Sequence, residues 1–401
     1  MICVYEEEGL ERLSPLAELR PAFDLRCGRF TLLEKIERLY PKEELHLWVR
    51  PELAEVTAER HPKARVNKPV KKGRLFLSAQ AIFEEPVSPQ GRESVLLAGD
   101  EVVGFRVCSE CAVHISSAAG LRATLAEEQV KAKTIKRPWD VVELTAGELR
   151  SEIPSRKDKG LNKDKGRRTK SGVPAGALVG SAGLLVMAKG ARVWPGAVVS
   201  TETGPVMLDE GAEVRPGSFV EGPCYVGPGT VIDGAKVRPG CSFGPQCRIG
   251  GEVEASVYQG YSNKHHEGFI GHSFVGEWVN LGALTTNSDL KNTYENVQVF
   301  FPDGPVDTGL TKVGGFFGDH AKTAIGSLFN TGCRVGIFAN WFEPGLARKE
   351  LAPFSWGRHG GWTEDAAVQN ARVVMARRGV EMSEATEKLI RHRWREAKRN
   401  V

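Results

Sequence analysis

Three imidazoles fall within one short stretch, as His265, His266 and His272 of Ser262-Asn-Lys-His-His-Glu-Gly-Phe-Ile-Gly-His272. Imidazole titrates at about 6.5 when unperturbed, which suits it to take a proton from an attacking amine. Acyl transfer from a thioester needs such a base, an in-line route for donor and acceptor, and donors for the tetrahedral oxyanion. The same three histidines also form a zinc-ligand set that leaves a position for water, which would make a hydratase of the carbonic-anhydrase type. In the first third of the chain Arg20, Arg26 and Lys35 are candidate nucleotide-phosphate contacts, because guanidinium pairs bidentately with phosphate. Asp100 and Asp140 are candidate Mg2+ ligands, since magnesium favours a few carboxylates together with substrate oxygens. Cys108-x-x-Cys111, with His114 three residues on, has metal-like spacing but no second ligand pair, so reduced thiols are the plainer reading.

Two kinds of pattern must position these groups. Residues 1–150 alternate short apolar runs (Ile2 to Tyr5, Leu45 to Val49, Arg74 to Leu77, Ser94 to Leu97, Val102 to Val107) with helix-like stretches, of which Leu25 to Leu39 is the clearest. That is α/β patterning. Residues 151–172 form a basic linker with almost no apolar content, unable to offset its own ordering entropy. From 173 to 345 glycine and proline multiply, and Leu208, Val214, Val220, Val226 and Ile232 stand six apart. After one slip of five, Val237, Phe243 and Ile249 resume the step. One inward apolar residue and one tight turn per hexad stack into a parallel β-helix. Thr286 to Gly315 breaks the period and reads as a projecting loop. Residues 346–401 are a helical tail, with Thr363 and Ser383 as N-caps.

The stretch Ser262 to Gly271, followed by Val279-Asn280-Leu-Gly-Ala283, resembles the acetyltransferase domain of the bifunctional N-acetylglucosamine-1-phosphate uridyltransferase/glucosamine-1-phosphate acetyltransferase family. The likeness implies a left-handed β-helix, an exception to the right-handed crossover rule, working as a homotrimer with active sites between neighbours. It places His266 on the catalytic base, Asn280 on a sugar contact and Arg238 on a phosphate contact. Ala283, with Ser327, falls on the acetyl-CoA side. Phe269 stands where the family has a tyrosine, Glu254 where it has a substrate-binding lysine, and Lys312 matches the later lysine loop out of register. These five residues, Asn280, Arg238, Phe269, Glu254 and Lys312, are the expected acceptor-side contacts, fitted to a different amino sugar or acyl acceptor.

The N-terminal run Leu13-Ser-Pro-Leu-Ala-Glu-Leu-Arg20-Pro to Lys35, with Arg137-Pro-Trp-Asp140, is similar to sugar nucleotidyltransferases joined to such a β-helix. Their glycine-rich phosphate loop is replaced by Tyr5-Glu-Glu-Glu-Gly9, where three carboxylates would repel a triphosphate instead of offering backbone N–H groups to it. The expected activity is synthesis of an N-acylated, nucleotide-activated amino sugar for envelope polysaccharide, with acetyl-CoA and Mg2+. A rival expectation is a non-catalytic trimeric scaffold that senses nucleotide sugars.

Composition narrows the classes. At 41% hydrophobic and 26% charged residues, the 401-residue chain can bury cores and is not wholly disordered. Ser155 to Lys170 holds eight Lys or Arg against two Asp, so the net charge of +4 belongs to that run and no chain-wide nucleic-acid footprint exists. The uncharged stretch Ala175 to Ala188 is too short and too glycine-broken for a membrane span, and the N-terminus lacks the n- and h-regions of a signal peptide. A cytoplasmic protein is expected, with its scattered cysteines reduced.

Overall fold

A computed structural model describes residues 1–68, 75–107, 125–154 and 173–399. Cys108, Cys111, His114 and the basic run 155–170 lie outside the described residues. The chain divides into two compact units. One comprises Met1–Leu25, Phe30–Asp140 and Ser383–Arg393; the other comprises Arg26–Arg29, Val141–Met382 and Trp394–Val401.

Among the described residues the first unit is built on a seven-stranded sheet with Ile2–Tyr5 inside it, parallel to Leu45–Trp48 on one side and Leu75–Ser78 on the other. All four residues of Ile2–Tyr5 are buried, as an unbroken apolar run requires of a strand covered on both faces. Glu101–Arg106 runs antiparallel to both of its neighbours, Leu75–Ser78 and Ser94–Ala98. The helix expected from Leu25 begins only at Leu32. Pro21 opens a 3-10 turn over Ala22–Asp24, Gly28 takes φ 79°, and Thr31 caps the helix in a reciprocal box with Glu34. The apolar face, Leu32, Leu33 and Ile36, is buried as the spacing predicts.

The second unit is a parallel β-solenoid of three faces, the β-helix that the hexads predict. Its first face carries six strands, from Leu178–Val179 to Phe269–Gly271; its second nine, from Leu185–Met187 to Glu350–Leu351; its third ten, from Arg192–Val193 to Gly360–Gly361. Inward residues stack coil on coil. On the second face Leu208, Val226, Phe243, Tyr258, Val275, Phe317, Val335 and Leu351 form one column. On the first face the column is Val199, Val220, Val237, Val253 and Ile270. Most are 0% exposed, and burying each such side chain contributes about 1.5–3 kcal/mol.

One corner of the solenoid carries an aromatic ladder. Tyr261, Trp278, His320, Phe338 and Phe354 all hold φ between 55° and 62°. Left-handed backbone costs an L-residue roughly 1–2 kcal/mol. Face-to-face stacking offsets part of that: Tyr261 to Trp278 at 4.3 Å, His320 to Phe338 at 4.5 Å and Phe338 to Phe354 at 4.9 Å. Trp362 Nε1 donates to the Phe338 carbonyl, and Trp394 Nε1 to that of Trp362, each at 2.8 Å. The tail helices Glu364–Ala376 and Glu384–Arg399 begin at the expected caps, Thr363 and Ser383. The aperiodic stretch from Thr286 to Gly315 contains the antiparallel hairpin Gln298–Phe301/Gly304–Asp307, after which Phe316–Phe317 resumes the second face.

Phe243 lies at the middle of the inward column, so Phe243→Ala should lower unfolding free energy by about 3–5 kcal/mol. The urea midpoint should fall with an unchanged slope; an unmoved midpoint would mean that this column does not hold the solenoid together.

Candidate functional site

The third face supplies a straight outward column. Arg248, Asn263, Asn280 and Lys322 occupy equivalent positions on four successive strands. Their inward neighbours are Ile249, Lys264, Leu281 and Thr323. Strand alternation therefore turns three polar side chains, Arg248, Asn263 and Asn280, toward a cleft of about 550 Å3 that His265, His266, Leu281, Gly282, Ala283, Ile325, Arg377 and Arg378 also line. Asn263 Nδ2 donates to Asn280 Oδ1 at 3.3 Å, and Arg378 donates to Asn263 Oδ1 at 2.6 Å.

Lys264 breaks the apolar rule of its column and is 0% exposed. Its ammonium donates to the carbonyls of His266 and Glu267. A buried cation is tolerable only when hydrogen-bonded, and here the bonds that satisfy it also fix the turn bearing His266. Burial pushes the Lys264 ammonium down from 10.5 to about 8. A Cβ on Gly250 would lie 1.9 Å from the His265 carbonyl, so glycine is what admits this turn against the preceding coil. His265 Nε2 lies 3.2 Å from Asp233 Oδ2, and Arg215 holds that same carboxylate oxygen at 3.1 Å. The His265 and His266 rings stack at 5.2 Å. A carboxylate thus orients one imidazole of the pair, which lies over the other.

Of the residues singled out in the β-helix sequence, His265, His266, Asn280 and Ala283 meet in this cleft. The others lie elsewhere on the same unit. Arg238 pairs with Glu221 and Glu252 at 3.2 Å each; Lys312 pairs with Glu254 at 3.3 Å. Phe269 belongs to the first face and is half-buried. Ser327 is buried, its hydroxyl donating to the Ala324 carbonyl at 2.8 Å. His272 does not line the cleft but faces Asp289 at 2.7 Å. Among the described residues no group of three His, Cys, Asp or Glu could hold a metal ion.

In the first unit Arg20 is 1% exposed, Lys35 is buried on the helix Leu32–Leu39, and Asp100 is exposed in the turn before Glu101–Arg106. Asp140 Oδ2 accepts from the backbone N–H groups of Lys136 and Arg137 at 2.8 and 2.9 Å, a helix-capping arrangement, and burial raises its carboxyl pKa. Glu6 accepts from the Ala22 N–H at 2.9 Å and from Arg50, so a carboxylate organises the turn after the first strand. Arg26 belongs to the second unit: its guanidinium donates to the Arg29 carbonyl and lies 5.6 Å from the Tyr225 ring centre.

Sequence reading missed Asp233, Arg248, Asn263, Lys264, Arg377 and Arg378. A signal existed for Lys264, which stands 17 residues before the inward Leu281, about one coil. None marked the others.

Residues 2–159 match the family model described as sugar nucleotidyl transferase. The chain is 30% identical over 162 residues to a bifunctional sugar-1-phosphate nucleotidylyltransferase/acetyltransferase of Sulfurisphaera tokodaii, covering 37% of this chain and spanning 38% of that relative's length. Among solved structures it is similar to a hexapeptide transferase family protein from Anaplasma phagocytophilum, with 18% identity, a TM-score of 0.20, and coverage of 49% of this chain and 94% of that one. No helix among the described residues is long and apolar enough to cross a membrane.

The lowered Lys264 pKa has a definite sign. Between about pH 8 and 10 the unfolded chain keeps a proton on this lysine that the folded chain releases, so stability rises with pH through that window. At 1.36 kcal/mol per unit the rise from this residue reaches at most ~3 kcal/mol. Urea unfolding at pH 7.5 and 9.5 should show Lys264→Met losing that part of the increase; identical pH dependence in both proteins would refute it.

Proposed function

We propose that this chain is a sugar-phosphate nucleotidyltransferase joined to an acyltransferase, making an N-acylated, nucleotide-activated amino sugar of the UDP-N-acetylglucosamine kind. The observation that carries the acyl-transfer half is the convergence of His266, Asn280 and Ala283 on one cleft, from three separate positions in the chain. The family match over residues 2–159 supports the nucleotidyl half.

In this reading the amine nitrogen of an amino sugar phosphate attacks the thioester carbon of acetyl-CoA. The C–S bond breaks as the C–N bond forms, His266 takes the amine proton, and the departing thiolate is protonated as free CoA. Asn280 orients the acceptor through its carboxamide, whose oxygen the Asn263 amide already holds. Positioning accounts for much of the rate, since two bound reactants replace a bimolecular encounter. Arg238, Phe269, Glu254 and Lys312 lie outside the cleft of a single chain, so their part as acceptor contacts requires a neighbouring copy, as a homotrimer would provide. Ala283 borders the donor side, with Ser327 behind it.

For the nucleotidyl half, Arg20 and Lys35 are the proposed phosphate contacts in the first unit. The residues present do not fit Mg2+ at Asp140, because the cap hydrogen bonds occupy its Oδ2. The carboxylate-built turn at Glu6 favours a second reading, a nucleotide-sugar-sensing scaffold without nucleotidyl turnover.

Incubation with acetyl-CoA and a panel of amino sugar phosphates, following free thiol, tests the first reading. His266→Ala should cut the rate about 10²–10⁴-fold, whereas His265→Ala, which leaves the base in place, should cut it less. Thiol release unchanged in His266→Ala, or absent from the wild type across the panel, would overturn it.

A further inference from the structure

Three arginines line the His266 cleft, Arg248, Arg377 and Arg378, and among the described residues no carboxylate does. Three other arginines of this unit are matched by acids: Arg215 by Glu213 and Asp233, Arg238 by Glu221 and Glu252, Arg334 by Glu350. Two of the cleft arginines are held by neutral acceptors instead. Arg248 donates to the carbonyls of Gly229 at 2.9 Å and Cys247 at 2.8 Å. Arg378 donates to the Asn263 carboxamide at 2.6 Å. Burial, and then the Arg378 charge, disfavour the charged form of Arg248, so the two cations are close enough to repel.

A helix end accounts for cations at Arg377 and Arg378, which follow Glu364–Ala376, where the helix dipole favours positive charge. It does not account for their meeting a third arginine from a strand more than a hundred residues earlier, with neutral groups bracing Arg248 and Arg378 there. Like charges gathered at a half-buried site whose lining holds no carboxylate, with Glu213 acting on Arg248 only through space, suit an incoming polyanion. Guanidinium binds phosphate through paired N–H donors.

We propose that Arg248, Arg377 and Arg378 form a phosphate-binding subsite beside His266, taking the phosphate of a phosphorylated small-molecule substrate. The proposal deepens the acyl-transfer reading by naming what the cleft recognises. Two sources share this chemistry: the phosphate of an amino sugar phosphate, and the phosphates of the CoA donor. In either case the helical tail completes the site, for it brings two of the three arginines to the β-helix.

Binding separates this proposal from the acyl-transfer reading. Calorimetry with inorganic pyrophosphate on the full chain should show binding that weakens at least tenfold in the double variant Arg377→Ala/Arg378→Ala and to a smaller extent in Arg378→Gln. The latter keeps a donor for Asn263 but loses the charge. Circular dichroism melts of both variants should match the wild type, since Arg377 is exposed and Arg378 half-buried at a helix end; if the double variant melts early, Arg378→Gln alone decides. Kinetics then assign the source. A raised KM for the amino sugar phosphate but not for the unphosphorylated amino sugar identifies the acceptor; a raised KM for acetyl-CoA but not for its 3′-dephospho form identifies the donor. Arginine-dependent pyrophosphate binding without acetyl transfer upholds the subsite and removes the acyl-transfer reading. Equal pyrophosphate affinity in wild type and variants, or no binding at all, overturns the subsite whatever the activity.

Discussion

Each coil of the solenoid must place its backbone N–H and C=O groups opposite those of the coils before and after it, and nearly everything at the candidate site follows from that requirement. With register fixed by backbone pairing, inward and outward positions alternate without freedom to slip, because a one-residue shift would turn every apolar side chain outward. Arg248, Asn263 and Asn280 form a column for the same reason that Ile249 and Leu281 form one beside it. The core and the cleft are two sides of one set of hydrogen bonds. Lys264 shows the constraint most clearly: its position dictates that it point inward, and the chain satisfies its ammonium with carbonyls of the turn that carries His266.

The hexads made the solenoid legible before any coordinates. Val214, Val220, Val226, Ile232, Val237, Phe243 and Ile249 are all 0% exposed. The slip of five between Ile232 and Val237 is a corner shortened by one residue, with Gly234 at φ 61° taking the bend. The start of the helix at Leu32 was misjudged because Leu25 shares the spacing of its apolar face while Gly28 and Thr31, residues of turn and cap chemistry, lie between. The aromatic ladder went unseen since Trp278 and His320 are separated by the hairpin excursion, which hides the coil repeat.

For the candidate site, the sequence carried His266, Asn280 and Ala283 and little else of the cleft. Asp233, Asn263, Arg248, Arg377 and Arg378 come together only because coils and tail bring distant positions side by side, and no local spacing encodes that. In the first unit the absence of a glycine-rich loop was plain from Tyr5 to Gly9, but what stands in its place was not. Glu6 bonds to the Ala22 backbone and to Arg50, so the carboxylate that looked repulsive toward a ligand is a structural acceptor for the loop that follows.

The excursion from Ser288 to Gly315 leaves the solenoid after one properly paired strand and returns to another, Phe316–Phe317, that pairs directly with Phe274–Glu277. Trp278 and His320, on either side of it, still occupy neighbouring steps of the same ladder at 6.2 Å. The detour is therefore invisible to the stack it interrupts in sequence. A coil of this kind tolerates a guest segment of arbitrary length at that corner, provided entry and exit remain one rung apart. That makes the corner a place to graft a segment without disturbing the stack on either side of it.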